Sequence, residues 1–344
     1  MKKWRLAVFA FAVLVSMVII LPQSIALGAD KPVELRLAHM FPVAAPTAQY
    51  IDAWTKKVTA DSNGRLTFRI FPVNTLIPAP ELYDGVAKGT ADLAYGFRYV
   101  PKNYTLGVTF PFILGAPDVV TAGKVYDDVW KKYPKQMGED WKDVKVLWLS
   151  PSMVQYISTR KPVRKLEDMK GLQIRVPSKE MGDLMKDLGA SPAYMSTADF
   201  VIGLDKGTVD GGTIQPLAVE ENKLGGKIKY ILELSLGAVT PVFLIMNKDA
   251  FSHLPADLQA VIEKNCQTGK DGSTKLWVDA YDMTMKYFKA EGVEMVRLPP
   301  QEKARWMAIV DKARERVGGD LDTKGLPGTE LVKYMKERAE FYSK

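Results

Sequence analysis

The sequence holds a single cysteine, Cys266, and only two histidines, His39 and His253. A lone cysteine excludes an intrachain disulfide. Two distant histidines and one thiol leave a zinc site almost without ligands. No G-x-S-x-G turn occurs, so a Ser-His-Asp arrangement has neither its nucleophile elbow nor a histidine placed beside one. No catalytic set, metal set or cofactor is therefore expected. Basic runs interleaved with aromatics are also missing, and a formal charge of +7 is too mild to argue for nucleic acid. Low-complexity linkers and internal repeats are absent as well.

One long hydrophobic run does occur, at the start. Lys2, Lys3 and Arg5 precede an apolar stretch from Leu6 to Leu21, closed by Pro22, and Ala26-Leu27-Gly28 supplies the small residues of a cleavage site. That layout is a secretory signal peptide over residues 1–28. The run is short for a bilayer span of about 20 residues. The expected compartment is the periplasm. Without the three leader cations, 44 basic residues face 40 acidic ones, a balance that suits an anionic ligand only weakly. About 315 residues remain, a length that favours two lobes over one core.

Strand and helix patterns alternate almost throughout. Val33, Leu35 and Leu37 alternate with Glu34 and Arg36, a period-two strand ending at His39. A helix follows over 47–60, then a strand from Leu66 to Ile70; this spacing makes the two strands parallel neighbours. Further helices are expected over 80–88, 117–137 and 199–206, and one runs through Met181 to Leu188. Strands are expected over 91–96, 144–149, 172–176 and 242–246. Residues 255–291 read as one very long helix, with a bend expected at Gly269 and Gly272. A strand over 293–298 and two helices end the chain.

Several stretches, in order and spacing, resemble the solute-binding proteins of tripartite ATP-independent periplasmic (TRAP) transporters. They include Leu35-Arg36-Leu37-Ala38-His39, Gly64-Arg65-Leu66-Thr67-Phe68, Gly89-Thr90-Ala91-Asp92-Leu93 and Phe110-Pro111-Phe112-Ile113. The most specific is Leu166-Glu167-Asp168-Met169-Lys170-Gly171-Leu172-Gln173-Ile174-Arg175-Val176-Pro177, followed by Leu188-Gly189-Ala190-Ser191-Pro192 and Gly207-Thr208-Val209-Asp210-Gly211. The resemblance implies an α/β, two-lobed periplasmic-binding-protein-like fold with a ligand cleft between the lobes and a long helix spanning both. On that reading residues 29–152 plus 241–280 form lobe I, and 153–240 plus 281–344 form lobe II. It also implies a small organic acid ligand and delivery to TRAP transporter membrane subunits.

Arg175 stands near the carboxyl end of its strand, opposite Ile174 and Val176, where α/β sheets face their ligands. Taken from the residues alone it is either a structural arginine or a carboxylate clamp; a planar guanidinium forms two parallel charge-assisted bonds with a carboxylate. The resemblance selects the clamp. In Asp210-Gly211-Gly212-Thr213-Ile214-Gln215-Pro216 the chain departs from the family pattern Asp-Gly-Gln-Glu-Asn-Pro. With one residue inserted, Gln215 takes the place of the ligand-bonding Asn, and Thr213 stands nearby. No acid follows Asp210 until Glu220, which disfavours a metal-bridged ligand; Asp210 itself is expected to order the turn.

Three loops are expected to complete the pocket: His39 with Phe41, Phe97 with Arg98 and Tyr99, and Gln155 with Tyr156. Gln155 lies near where relatives often carry a second arginine. Histidine and aromatics at strand ends are also ordinary core residues. Their clustering favours a monocarboxylate with an apolar or aromatic body over a hydroxyl-rich sugar acid. A periplasmic enzyme on the same scaffold and a ligand-sensing module remain the alternatives.

Overall fold

A computed structural model describes residues 31–98, 118–234, 236 and 241–344. The expected signal peptide, Tyr99 and the Phe110–Ile113 stretch lie outside the described residues. The first strand, β1 (Val33–His39), is followed by helix α1 (Pro46–Asp61) and β2 (Leu66–Pro72). The two strands are parallel from Val33↔Leu66 to His39↔Pro72, as a strand–helix–strand unit requires. A 3-10 turn at Ala79–Glu81 leads into α2 (Leu82–Ala87) and β3 (Leu93–Phe97). Helices α3 (Val119–Lys132) and α4 (Pro134–Glu139) precede β4 (Val144–Ser150). One continuous helix was expected over 117–137, and Pro134 breaks it. Proline has no N–H to donate and pushes the preceding residue out of the helical region; Tyr133 sits at φ −125°, ψ 52°.

The chain then builds β5 (Tyr156–Thr159), β6 (Gln173–Val176), α5 (Lys179–Asp187), β7 (Ser191–Tyr194), α6 (Thr197–Lys206) and β8 (Gly211–Ile214). Next come α7 (Pro216–Glu221), β9 (Tyr230–Leu232), β10 (Val242–Asn247) and α8 (Lys248–Ser252). The long helix α9 (Ala256–Glu291), β11 (Glu294–Val296), α10 (Pro300–Asp322) and α11 (Gly328–Tyr342) complete it.

Two sheets result. The first has the order β2-β1-β3-β10-β4 and the second β11-β9-β5-β8-β6-β7. The molecule is thus the two-lobed α/β architecture expected. β10 returns to the first sheet antiparallel to β3 and β4, and its side chains are buried on both faces. Val242, Leu244 and Met246 enter one apolar cluster with Leu37, Ile51 and Trp54. Phe243 and Ile245 enter another that also takes Ile157, Ile174 and Leu232 from the second sheet.

Helix α9 shows how one element serves both clusters. Its buried positions are Leu258, Ile262, Asn265, Gly269, Ser273, Trp277, Ala280, Thr284 and Phe288, in steps of three and four that keep one stripe inward. Leu258 to Ala280 face the first cluster, whereas Phe288 belongs to the second. The helix is assigned without interruption across Gly269 and Gly272. These glycines answer a packing need: a Cβ at Gly269 would stand 2.6 Å from the Trp148 ring, and one at Gly272 would stand 2.8 Å from the Tyr50 hydroxyl. Among the described residues, no helix is long and apolar enough to cross a membrane.

Candidate binding site at the sheet edges

Strand direction decides which ends meet. In the second sheet β6 and β8 run parallel while β5 runs against β8, so Tyr156 at the start of β5 faces Ile214 at the end of β8. Arg175, Thr213, Gln215 and Tyr156 therefore gather at one edge. In the first sheet β1, β3 and β4 share a direction and end in His39, Phe97 and Ser150. Residues 151–155 link that edge to β5 and carry Ser152 and Gln155, both buried.

Arg175 is only 3 % exposed. Its Nε donates to the Met195 carbonyl at 3.0 Å and one terminal nitrogen donates to the Thr213 carbonyl, also at 3.0 Å. The other terminal nitrogen lies 3.5 Å from Thr197 Oγ1. These bonds fix the plane of the fork before any ligand arrives. Gly212 makes the arrangement possible, since a Cβ there would stand 2.8 Å from the Phe200 ring and 3.1 Å from Arg175 Cβ. Asp210, expected to order its turn, instead accepts from the Gln173 N–H through its carboxylate at 2.8 Å, tying the start of β8 to β6.

Gln215 opens α7, with Pro216 at the first helical position where a missing N–H costs nothing. Its amide donates to Ser152 Oγ at 2.6 Å, joining the second sheet to the linking segment. Thr213 is fully buried, and its hydroxyl reaches the Arg175 carbonyl at 3.4 Å. Burial pushes the Tyr156 phenol up to about 12.

The first-sheet edge is aromatic. Phe41 lies 5.3 Å from Tyr95 and 5.8 Å from Phe97, ring centre to ring centre, and the Phe97 ring lies 6.2 Å from Trp277. His39 stacks beside Phe41 at 6.4 Å. Burial pushes the His39 imidazole down to about 4, so it is neutral at pH 7. Its Nδ1 accepts from the Phe41 N–H at 3.3 Å, which leaves the proton on Nε2.

Arg98 does not join this group. It projects from the opposite side of β3 to Phe97, donates to the Asp140 carbonyl, and lies over the Tyr83 ring at 3.8 Å. The strand alternation contained that signal: consecutive residues face opposite ways.

Trp277 was not singled out by sequence reasoning. It lines a cavity of about 510 Å³ with Met153, Val154, Tyr156 and Tyr281. Its neighbours in α9 repeat every three or four residues, a pattern that announces core and nothing more. The cavity also carries the carboxylates of Asp118, Glu233 and Asp282, which repel the charged end of an anion. Arg175 is not among its walls, so any carboxylate clamp lies away from this acidic rim. Among the described residues there is no cluster of His, Cys, Asp and Glu able to hold a metal ion.

Known proteins resemble the chain over most of its length. The chain is 27% identical over 285 residues to the 2,3-diketo-L-gulonate-binding periplasmic protein of Escherichia coli, a match covering 80% of this chain and 83% of that protein. A marine metagenome TRAP solute-binding protein specific for aromatic acid ligands, solved with metahydroxyphenylacetate, superposes with a TM-score of 0.79 at 24% identity. That match covers 91% of this chain and all of the other. A TRAP solute-binding protein of Rhodoferax ferrireducens, solved with copurified benzoate, gives 0.77 at 22% identity over 90% of this chain and 98% of its own. The family model for the bacterial extracellular solute-binding protein, family 7, matches residues 37–318, and the chain belongs to that family.

Proposed function

We propose that this protein captures a small organic carboxylate, a monocarboxylate with an apolar or aromatic body, and delivers it to the membrane subunits of a TRAP transporter. The observation that carries the reading is the buried Arg175 guanidinium, held in a fixed plane by the Met195 and Thr213 carbonyls. Gln215, Gln155 and Thr213 supply the polar surroundings, and Phe41, Phe97 and Tyr156 the apolar ones. Residues 29–152 plus 241–280 act as one lobe and 153–240 plus 281–344 as the other, closing on the ligand. The protein works in the periplasm after loss of residues 1–28. The aromatic acids bound by two structurally similar proteins support the ligand class.

A thermal-shift series tests this with benzoate, 3-hydroxybenzoate, a sialic acid and neutral sugars. A ligand that binds only the native state adds about 2.7 kcal/mol at a hundredfold excess over Kd. The two aromatic acids should raise Tm more than the sialic acid. Shifts produced only by neutral sugars or by cations would overturn the proposal.

A further inference from the structure

Helix α1 has no side-chain cap of its own: Ala45 stands at its N-cap and Pro46 at the first helical position. The missing acceptor comes from the other lobe. Glu221, the last residue of α7, accepts from Thr47 Oγ1 at 2.9 Å. The Thr47 backbone N–H also acts on that carboxylate. A carboxylate at a helix N-terminus satisfies an orphan N–H and meets the positive end of the helix dipole. Thr47 is fully buried beneath the contact.

A second contact lies on the same helical face. Leu217, four residues before Glu221, is fully buried in the first-sheet cluster with Phe41 and Tyr95, although α7 joins two strands of the second sheet. Helix α7 thus begins at Gln215, beside the linking segment, and ends by capping a helix of the other lobe.

We infer that Glu221 is a positioning residue for ligand capture: its bond to Thr47 joins the lobes, and the charge it must bury there makes closure respond to pH. The groups facing it are Thr47 from α1, Tyr95 from β3 and Glu220 from its own helix. Glu220 is in turn held by Thr284 of α9 at 2.9 Å and lies near Tyr287. Among the described residues no Lys or Arg pairs with Glu221. Burial first, and then Glu220, pushes the Glu221 carboxyl up to about 7. A carboxylate with an ordinary value in separated lobes must therefore take up a proton as they close. Closure is favoured at low pH and weakened as pH rises through 7.

The inference rests on the two-lobed fold and not on which acid is bound, so the test uses no ligand. Spin labels at Lys56→Cys on α1 and Lys186→Cys on α5, with Cys266→Ser, report the lobe separation in the full chain. The ratio of the shorter to the longer distance population should fall about tenfold from pH 5.5 to pH 8. Glu221→Gln keeps an acceptor without a charge, so it should hold the pH 5.5 ratio at both values. Glu221→Ala should give a low ratio at both, whereas Thr47→Val, which leaves the buried carboxyl in place, should lower the ratio at each pH and keep its fall. A wild-type ratio that does not change with pH would overturn the inference. So would an unaltered pH response in Glu221→Gln, or variants that lower Tm while leaving the distances in place.

Discussion

The two sheet edges that meet at residues 151–155 are built from different chemistry. The second-sheet edge uses strands of four residues, and its polar side chains are bonded to backbone and hydroxyl groups: Arg175 to Met195 and Thr213, Gln215 to Ser152. The first-sheet edge uses rings in contact at 5 to 7 Å and a histidine kept neutral by burial. Directional bonds recognise one functional group and tolerate no change of shape. Ring packing recognises size and accepts variants. On the function proposed above, the demand for a carboxylate would stay fixed while the body of the ligand varies.

The comparison breaks most easily at Arg175. Arg175→Ala should cost about 2 to 5 kcal/mol of carboxylate affinity, roughly 30- to 5,000-fold, by leaving a buried anion without its partner. Arg175→Lys keeps the charge but loses the fork, and calorimetry should show only partial recovery. An alanine variant that stays folded and binds within about threefold of wild type would remove the clamp from the account.

The opposite edge should declare itself in stability. His39 takes a proton near 4 in the native state and near the ordinary 6.5 when unfolded. The unfolded chain thus binds more protons between these values. The stabilisation is complete above 6.5 and lost as pH falls through the window, by about 3 kcal/mol at its lower end. Urea unfolding at pH 7 and pH 4 measures it, and His39→Asn should flatten that part of the slope. An equal slope in the variant would place the titration elsewhere.

Phe97→Leu offers a smaller effect. It should weaken aromatic acids by about 1 kcal/mol and leave aliphatic acids nearly unchanged, since only the ring–ring contribution is lost. Equal losses for both ligand types would show that Phe97 shapes the edge without touching the ligand body. Smallest of all is the coupling between edges. In a double-mutant cycle, Arg175→Lys and Phe97→Leu should add within about 0.5 kcal/mol if the two edges act independently.

Much of this was legible in the sequence, for physical reasons that differ by element. Val33–His39 alternates because one face of β1 meets the core, and Asn63-Gly64 stops α1 through positive φ at both residues, 54° and 78°. Strand β7 was not legible. Ser191-Pro192-Ala193-Tyr194 has no apolar alternation, and a proline is tolerated there because β7 lies at the edge of its sheet. Arg175 could be found from its place at a strand end, yet its anchors Met195 and Thr197 could not, because they belong to the loop and helix after a different strand. The Glu221–Thr47 bond spans 174 positions, and no local pattern encodes it.

The glycines of α9 have a mechanical consequence. Tyr50 presses against Gly272 and donates to the Gly269 carbonyl, while Trp148 fills the space over Gly269. The middle of a rod of 36 residues, about 54 Å long, is thereby riveted to α1 and β4. Beyond it, Thr284 and Tyr287 grip α7 and the turn at Gly225. Trp277 and Ala280 keep the next turns in the first cluster, so the rod passes from the first sheet's core to the partners of α7 only between Ala280 and Thr284.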